Sequence, residues 1–196
     1  MDNQNNNDVM EILKQYEGVL KGHFCLTSGL HSDTYFQCAK LYQYPHVVEK
    51  LAKMLCEKIN ANEIDTIISP AIGAIIFGYE VAKNLNKRNL FVERKDGILQ
   101  LRRGYSLKEN ERVFIIEDVV TTAKTIGETI EAIKQYNINV VGYGCIVDRT
   151  ADKTPYKFTS LLKQTPKVFD PTDCPLCKAG IEIVKPGSRV EKKDMV

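Results

Sequence analysis

The sequence predicts a single α/β domain whose strands lie in a buried parallel sheet. Two segments, residues 66–85 and 113–136, each read as a short apolar run, a loop of small residues and a helical pattern. An unbroken apolar run such as residues 113–116 is typical of a strand covered on both faces. With 196 residues, the chain is long enough to bury a sizeable core in one domain.

Composition narrows the functional class. A net charge of +2 argues against a nucleic-acid partner, and no apolar stretch approaches the length of a membrane span. Residues 1–7 are polar and lack the pattern of a signal peptide, so we expect a disordered tail followed by one domain over residues 8–196. Six cysteines without a secretory leader indicate reduced thiols and a cytoplasmic protein.

The first elements are a helix and a small hairpin. Asp8 can cap a helix that runs to about residue 20. Two short strands, residues 24–26 and 34–37, then flank a turn punctuated by glycine. The aromatic side chains of Tyr35 and Phe36 could stack on a planar ring, but they could equally pack into a small core.

The middle of the chain alternates helices and strands. Pro45 opens a helix that we expect to reach about residue 59. A buried strand at residues 66–69 leads through the small-residue loop 70–74 into a helix at residues 75–85. That loop is suited to close approach of a ligand such as diphosphate, or it serves only tight packing.

A basic hairpin follows. Strands at residues 89–93 and 98–102 are joined by Asp96-Gly97, a strong two-residue turn signal. The cations around it form either a mobile lid over a leaving diphosphate or a solvated edge strand that discourages aggregation. They are Arg94, Lys95, Arg102 and Arg103.

The central motif begins where the strand at residues 113–116 is expected to emerge at its carboxyl end. Glu117 and Asp118 can accept hydrogen bonds from the vicinal hydroxyls of a ribose. Residues 121–125 are mostly short and can wrap backbone N–H groups around a phosphate, next to the start of a helix over residues 126–136. The alternative is two solvated acids before an ordinary capped helix.

A second polar pair closes the β-rich run 139–148. Arg149 offers a fork of donors that suits a carboxylate, although a salt bridge with Asp148 or simple exposure would also explain it. A further strand is expected at residues 158–162.

In the tail, Cys174 and Cys177 form a single C-x-x-C, which we interpret as a tight turn with two reduced thiols. No nearby histidine or third cysteine completes a zinc site unless a second subunit supplies one, and a redox role lacks the usual context.

The central motif resembles the phosphoribosyl diphosphate motif of type I phosphoribosyltransferases: an apolar strand, two acids, two apolar residues and a Thr-x-Gly-x-Thr loop. This chain has Ala123 where the family has glycine, which would cost about 1 kcal/mol if φ is positive there. The hood segment 22–37, the basic hairpin and Asp148-Arg149 occur in the order typical of the orotate phosphoribosyltransferases within that family. Some members have a lysine at the position of Gly73, and some carry Lys-x-x-x-x-His in the lid, which this chain lacks.

The resemblance implies a Rossmann-like parallel sheet flanked by helices, the type I phosphoribosyltransferase fold, with a small N-terminal hood at about residues 22–38 joined by the C-terminal tail. It implies a homodimer whose lid reaches the neighbour's site, and a Mg²⁺-dependent transfer of phosphoribosyl from 5-phosphoribosyl 1-diphosphate (PRPP) to orotate. Magnesium would be carried by PRPP. The alternatives are a purine phosphoribosyltransferase or a regulator that senses the diphosphate sugar.

The resemblance also assigns roles. The four hairpin cations are the expected catalytic residues. Orotate is expected to meet Thr121, Arg149, Tyr35 and Phe36. The expected PRPP-binding residues are Glu117, Asp118, Val119, Val120, Thr121, Thr122, Ala123, Lys124 and Thr125.

Overall fold

The computed structural model describes residues 2–26, 28–151, 153–165 and 167–186, with side chains from residue 6 onward. The described elements, in chain order, are α1 (Asp2–Gln15), β1 (Val19–Cys25), β2 (His31–Phe36), α2 (Pro45–Cys56), β3 (Thr66–Pro70), α3 (Ile75–Leu85), β4 (Arg88–Lys95), β5 (Ile98–Leu101), β6 (Arg112–Val120), α4 (Lys124–Ile133), β7 (Asn139–Asp148), β8 (Phe158–Lys163), β9 (Val168–Phe169) and α5 (Pro175–Lys178). No helix among these residues combines the length and apolar character needed to cross a bilayer.

The chain divides into two compact units. The first contains residues up to Gly18 and Cys38–Thr165, and the described residues of the second are 19–26, 28–37 and 167–186. We refer to them as the sheet unit and the small unit.

The sheet unit is built on six strands in the order β5-β4-β3-β6-β7-β8. Strands β4, β3, β6, β7 and β8 pair in parallel, and β5 pairs antiparallel with β4 at one edge. The predicted parallel sheet is therefore confirmed. Strands β4 and β6 lie on opposite sides of β3, so the chain reverses its direction across the sheet between β3 and β6. In open α/β sheets, ligands bind at such a switch point.

Helices cover both faces of this sheet, as the alternating side chains of β6 demonstrate. Val113 and Ile115 belong to a buried cluster that includes Ile126 and Ile133 of α4. On the opposite face, a Cβ placed on Gly144 of β7 would meet the side chains of Ile116 at 2.8 Å and of Leu55, in α2, at 3.2 Å. Both faces of β6 are thus buried, which explains its unbroken apolar run.

Most predicted elements agree with the structure, and the differences lie at their ends. Helix α1 begins at Asp2, so residues 2–7 are its first turns rather than the disordered tail that their composition predicts. Once the apolar face of a helix is docked, each added residue contributes a hydrogen bond, and polar turns can propagate from it. The same helix ends at Gln15, because Glu17 adopts a positive φ of 55° and β1 starts at Val19.

The small unit contains a three-stranded antiparallel sheet in the order β1-β2-β9. Val184 forms a bridge with Phe24 of β1, which ties the C-terminal segment to the hairpin. Buried residues are few and half of them are polar. Within its described residues they are His23, Phe24, His31, Ser32, Phe36 and Cys174.

Candidate active site

Two loops meet at the switch point of the sheet unit. One follows β3 and leads into α3, and the other follows β6 and leads into α4. A Cβ added to Gly73 in the first loop would lie 3.0 Å from Oδ2 of Asp118. Only glycine therefore permits this approach without displacing the carboxylate. Two features that the sequence presents 45 residues apart form one site.

The acid pair lies within β6 and not beyond its carboxyl end. The strand continues to Val120 because Val119 and Val120 still pair with β7. Glu117 is consequently only 8% exposed, and Asp118 is half-buried. The expectation that both acids would emerge from the strand end is wrong, since pairing with β7 extends β6 beyond the apolar run 113–116.

Burial governs the charge of this pair. Burial, and next the charge of Asp118, raises the pKa of Glu117 well above its usual range. Burial also raises the pKa of Asp118, although the N–H of Val119, which donates to its Oδ1 at 2.8 Å, acts in the opposite direction. Two adjacent carboxyl groups that retain acceptor oxygens are well suited to accept hydrogen bonds from a diol.

The loop after β6 exposes Thr121, Thr122 and Lys124, while Ala123 is buried. Ala123 has a φ of 57°, so this position does require the left-handed conformation for which the family uses glycine. No side chain caps α4 at its N-cap. The N–H of Lys124 donates to the hydroxyl of Thr122 at 3.4 Å, and the amide groups that follow it in the first turn are left for a ligand, as in other anion sites of this kind. Thr125, half-buried, accepts a hydrogen bond at its carbonyl from the hydroxyl of Thr129.

The basic hairpin of β4 and β5 is held by ion pairs. Arg103 donates two hydrogen bonds of 2.8 Å to Glu93, and Arg102 donates one of 3.1 Å to the same carboxylate. Arg94 pairs with Glu128 of α4. Within the described part of the chain, Lys95 has no such acidic partner. The turn between the strands is the predicted Asp96-Gly97, with φ values of 52° and 83°.

Arg149 is tied to the end of β6. Its N–H donates to the carbonyl of Val120 at 2.8 Å, which places its backbone beside the residue that precedes Thr121. The side chain is buried, with 4% exposure, so the solvent-exposed alternative is wrong. Asp148 accepts hydrogen bonds from the N–H and hydroxyl of Thr150, at 2.8 and 2.7 Å, and these fix the turn that carries Arg149.

Tyr35 and Phe36 belong to the small unit. Phe36 is buried, and the ring of Tyr35 lies 5.7 Å from that of Phe24. The ring of Tyr35 therefore packs on Phe24, as the small-core alternative predicted. Their contact with a base stays a prediction.

Sequence analysis missed two residues near the acid pair. Cys38 and Tyr42 lie in the short 3₁₀ turn Cys38–Gln43, and burial followed by the charge of Asp118 raises the pKa of each. The Tyr42 hydroxyl is buried without a hydrogen-bond partner among the described residues, so it is a donor available to a ligand beside Asp118. Nothing in the surrounding sequence marks either residue.

Comparison with known families defines the class. The family model described as "Phosphoribosyl transferase domain" matches residues 38–174, more than half of the chain. The match includes both loops and the acid pair. The fold and the site therefore define a phosphoribosyltransferase.

Individual relatives narrow the class. The chain is 48% identical to the orotate phosphoribosyltransferase of Caldanaerobacter subterraneus over 183 residues, which cover 92% of this chain and 96% of that protein. It is 44% identical to that of Thermotoga maritima over 183 residues, covering 92% and 98%. The chain therefore belongs to the orotate phosphoribosyltransferase family and is an enzyme of this kind.

Solved structures support the shared fold. The orotate phosphoribosyltransferase of Aeropyrum pernix superposes with a TM-score of 0.69 at 23% identity, covering 79% of this chain and 93% of that one. An adenine phosphoribosyltransferase from Thermoanaerobacter pseudethanolicus gives 0.59 at 17% identity, covering 67% and 88%. The fold is thus common to enzymes for different bases.

Proposed function

We propose that this enzyme transfers phosphoribosyl from PRPP to orotate, giving orotidine 5′-phosphate and diphosphate in pyrimidine biosynthesis, with Mg²⁺. The observation that carries the proposal is the contact of Asp118 with Gly73 at the switch point. It brings the loop 70–74 (the diphosphate loop), the acid pair and the loop 121–125 (the phosphate loop) to one edge of the sheet. A sugar that bears a phosphate at one end and a diphosphate at the other matches this order of groups.

The chain binds and orients the donor. Glu117 and Asp118 accept hydrogen bonds from the ribose hydroxyls, while the amide and hydroxyl groups of residues 121–125 hold the 5-phosphate. Orotate N1 forms its bond to the anomeric carbon as the bond to diphosphate breaks, and the N1 proton passes to the departing diphosphate or to solvent. Because this step develops charge on the sugar and the leaving group, positioning and electrostatic stabilisation suffice, and no protein nucleophile is needed.

The carboxylate beside the loops fits a magnesium site. Mg²⁺ binds proteins through one or two carboxylates together with substrate phosphates, and Asp118 supplies a half-buried carboxylate next to the diphosphate loop. When bound with PRPP, the ion would mask part of the charge of the diphosphate.

Orotate is distinguished from other bases by its carboxylate. Arg149 recognises that group through its forked donors, and Thr121 lies close to the ring. The hydrogen bond from Arg149 N–H to Val120 supports this arrangement, because it sets both residues beside the same strand end.

The hairpin cations stabilise the departing diphosphate from a lid that serves a second subunit. Lys95 is the first candidate, since Arg94, Arg102 and Arg103 are held by acids. A homodimer is supported by an exposed apolar stripe on the first loop and α3. Ile72 in the loop is 84% exposed, and Ile76 and Tyr79, three residues apart on α3, are 46% and 56% exposed. The cytoplasmic location stays a prediction.

A substrate panel tests the proposal. The enzyme is supplied with PRPP and either orotate, adenine, hypoxanthine or uracil, with Mg²⁺ and with excess chelator. We expect consumption of orotate alone, and only when Mg²⁺ is present. Turnover of a purine would identify a different transferase, and PRPP binding without turnover of any base would identify a regulator. Full activity in chelator would contradict the metal dependence.

A further inference from the structure

Four metal-ligating side chains, none of which has a role in the proposed reaction, meet inside the small unit. They come from three separate segments: His23 from β1, His31 from β2, and Cys174 and Cys177 from the C-terminal segment around α5. One nitrogen or sulfur atom of each lies within 4.8 Å of the corresponding atoms of the other three. The interpretation of the C-x-x-C as lacking histidine partners is therefore wrong. The two histidines precede it by more than 140 residues.

The spacing of these atoms matches a tetrahedron around one ion. Nε2 of His23 lies 3.6 Å from Sγ of Cys174 and 3.7 Å from Sγ of Cys177, and Nδ1 of His31 lies 3.4 Å from Sγ of Cys177. Zinc–sulfur and zinc–nitrogen bonds of about 2.3 and 2.0–2.1 Å give tetrahedral sulfur–nitrogen edges of about 3.6 Å. The two histidine nitrogens are 2.9 Å apart, somewhat below the corresponding edge of about 3.3 Å.

A hydrogen bond at Nδ1 of His23 determines the tautomer of this ring, and therefore which nitrogen can bind a metal. Nδ1 of His23 lies 2.8 Å from the carbonyl oxygen of Ile181. A carbonyl can only accept, so Nδ1 carries the proton, and the Nε2 of the neutral ring points its lone pair at the thiols. Histidines that bind metals commonly have this arrangement, in which the second ring nitrogen donates to a carbonyl or carboxylate.

Burial also favours an ion. His23, His31 and Cys174 are 2%, 7% and 0% exposed, whereas Cys177 is exposed and provides an entry path. Without an ion, the buried nitrogens would have only each other and weak thiol donors as partners. A unit with so few buried apolar side chains is also the kind of small fold that a metal or disulfides usually stabilise.

We propose that His23, His31, Cys174 and Cys177 bind one Zn²⁺ ion in a closed, tetrahedral structural site. Two thiolates and two imidazoles suit zinc, whereas Mg²⁺ and Ca²⁺ require oxygen ligands. Four protein ligands leave no open position for a substrate, so the ion is structural. It joins the β1–β2 hairpin to the C-terminal segment, and its binding free energy contributes to the folding of the small unit.

The test begins with the full-length protein, purified without chelators or a histidine tag from cells supplied with zinc. Elemental analysis is expected to find about one zinc per chain, as four ligands for one ion require. After chelation under reducing conditions, we expect a lower melting temperature that one equivalent of Zn²⁺ restores. Addition of Co²⁺ to the metal-free protein is expected to give the intense visible bands of tetrahedral cobalt and a thiolate-to-cobalt charge-transfer band.

Ligand variants with a matched control identify the site. Cys177→Ser and His31→Asn are expected to lose most of the bound zinc and the thiolate band of the cobalt form. Cys25→Ser, at a half-buried cysteine of the same unit outside the cluster, is expected to keep both. If the ligand variants do not fold, the zinc content and cobalt spectrum of the wild-type protein still test the proposal. Zinc-free protein from zinc-supplied cells, octahedral cobalt spectra, or a Cys174–Cys177 disulfide in the native protein would each overturn the proposal.

Discussion

The two units are stabilised by different kinds of buried side chain. In the sheet unit, the parallel strands bury aliphatic residues on both faces, and the acid pair Glu117 and Asp118 lies near the carboxyl end of β6. In the small unit, half of the buried described residues are polar, and two of these are histidines turned toward a cysteine pair. The sheet unit can therefore sustain strained and charged residues at its active edge, because a large core offsets their cost. The small unit depends on specific polar partners.

The largest effect on stability is expected in the core of the sheet unit. Ile115→Ala removes a fully buried side chain from the central strand and is expected to lower the free energy of unfolding by about 2–5 kcal/mol. Val141→Ala on β7, where the side chain is 40% exposed, serves as the control and is expected to cost well under half as much. Denaturant unfolding monitored by circular dichroism measures both. Equal losses of unfolding free energy in the two variants would contradict the claim that the buried core stabilises the sheet unit.

Arg149→Ala tests whether the base specificity lies in the sheet unit. Loss of two charge-assisted hydrogen bonds to the substrate carboxylate, at about 1.5 kcal/mol or more each, predicts a fall in kcat/KM for orotate of about 100-fold. PRPP binding, measured by calorimetry, is expected to persist. Arg149→Lys is expected to fall nearly as far, because lysine lacks the planar fork. Full activity in Arg149→Ala would contradict the carboxylate clamp.

Glu117→Gln separates function from stability at the active edge. Because burial raises the pKa of Glu117, folding favours its neutral form. The contribution of the neutral carboxyl group to the free energy of unfolding is complete below the unfolded pKa of about 4.3. It declines as pH rises toward the raised folded pKa. Glutamine cannot ionise, so the variant is expected to melt higher than wild type at neutral pH, with the difference vanishing in acid.

The same variant is expected to lose up to about tenfold in kcat/KM, because the amide replaces one of two acceptor oxygens and a hydrogen bond to a neutral group is worth about 0.5–1.5 kcal/mol. Thermal melts between acid and neutral pH and steady-state assays measure the two effects. A variant that is less stable than wild type at neutral pH would show that the buried carboxyl is satisfied in the ligand-free protein.

Lys95→Ala and Arg102→Ala compare a cation without an acidic partner with one held by Glu93. If Lys95 meets the diphosphate, its removal is expected to lower kcat about tenfold, the value of one charge-assisted hydrogen bond. Arg102→Ala is expected to have a smaller effect. Single-turnover kinetics with orotate and PRPP measure the chemical step in both. A larger loss of kcat in Arg102→Ala than in Lys95→Ala would indicate that Arg102, rather than Lys95, contacts the diphosphate.

Ala123→Gly is expected to have the smallest effect. Relief of the left-handed conformation gains about 1–2 kcal/mol, while loss of a buried methyl group and greater freedom of the unfolded chain together remove about 1–2 kcal/mol. The net change in unfolding free energy is therefore expected to be below about 1 kcal/mol. Chemical denaturation measures it. A gain of several kcal/mol would show that the buried methyl group contributes nothing to packing.

Local sequence determined much of the fold. Helix α3 and strand β7 have the predicted bounds, residues 75–85 and 139–148, because small-residue loops and apolar periodicity set both ends within the segment itself. The hairpin turn at Asp96-Gly97 was equally local, since two positive φ values require this pair of residue types. The acid pair and its phosphate loop were recognisable because they are contiguous.

Tertiary structure decided what depends on pairing across the chain. The sequence placed Glu117 and Asp118 after a strand, but pairing with β7 extends β6 through them and buries Glu117. The approach of Gly73 to Asp118 follows from the adjacency of β3 and β6. The partners of Cys174 and Cys177 come from a hairpin at the opposite end of the chain. Propensity and periodicity act over a few residues, whereas these contacts are fixed by strand order and packing.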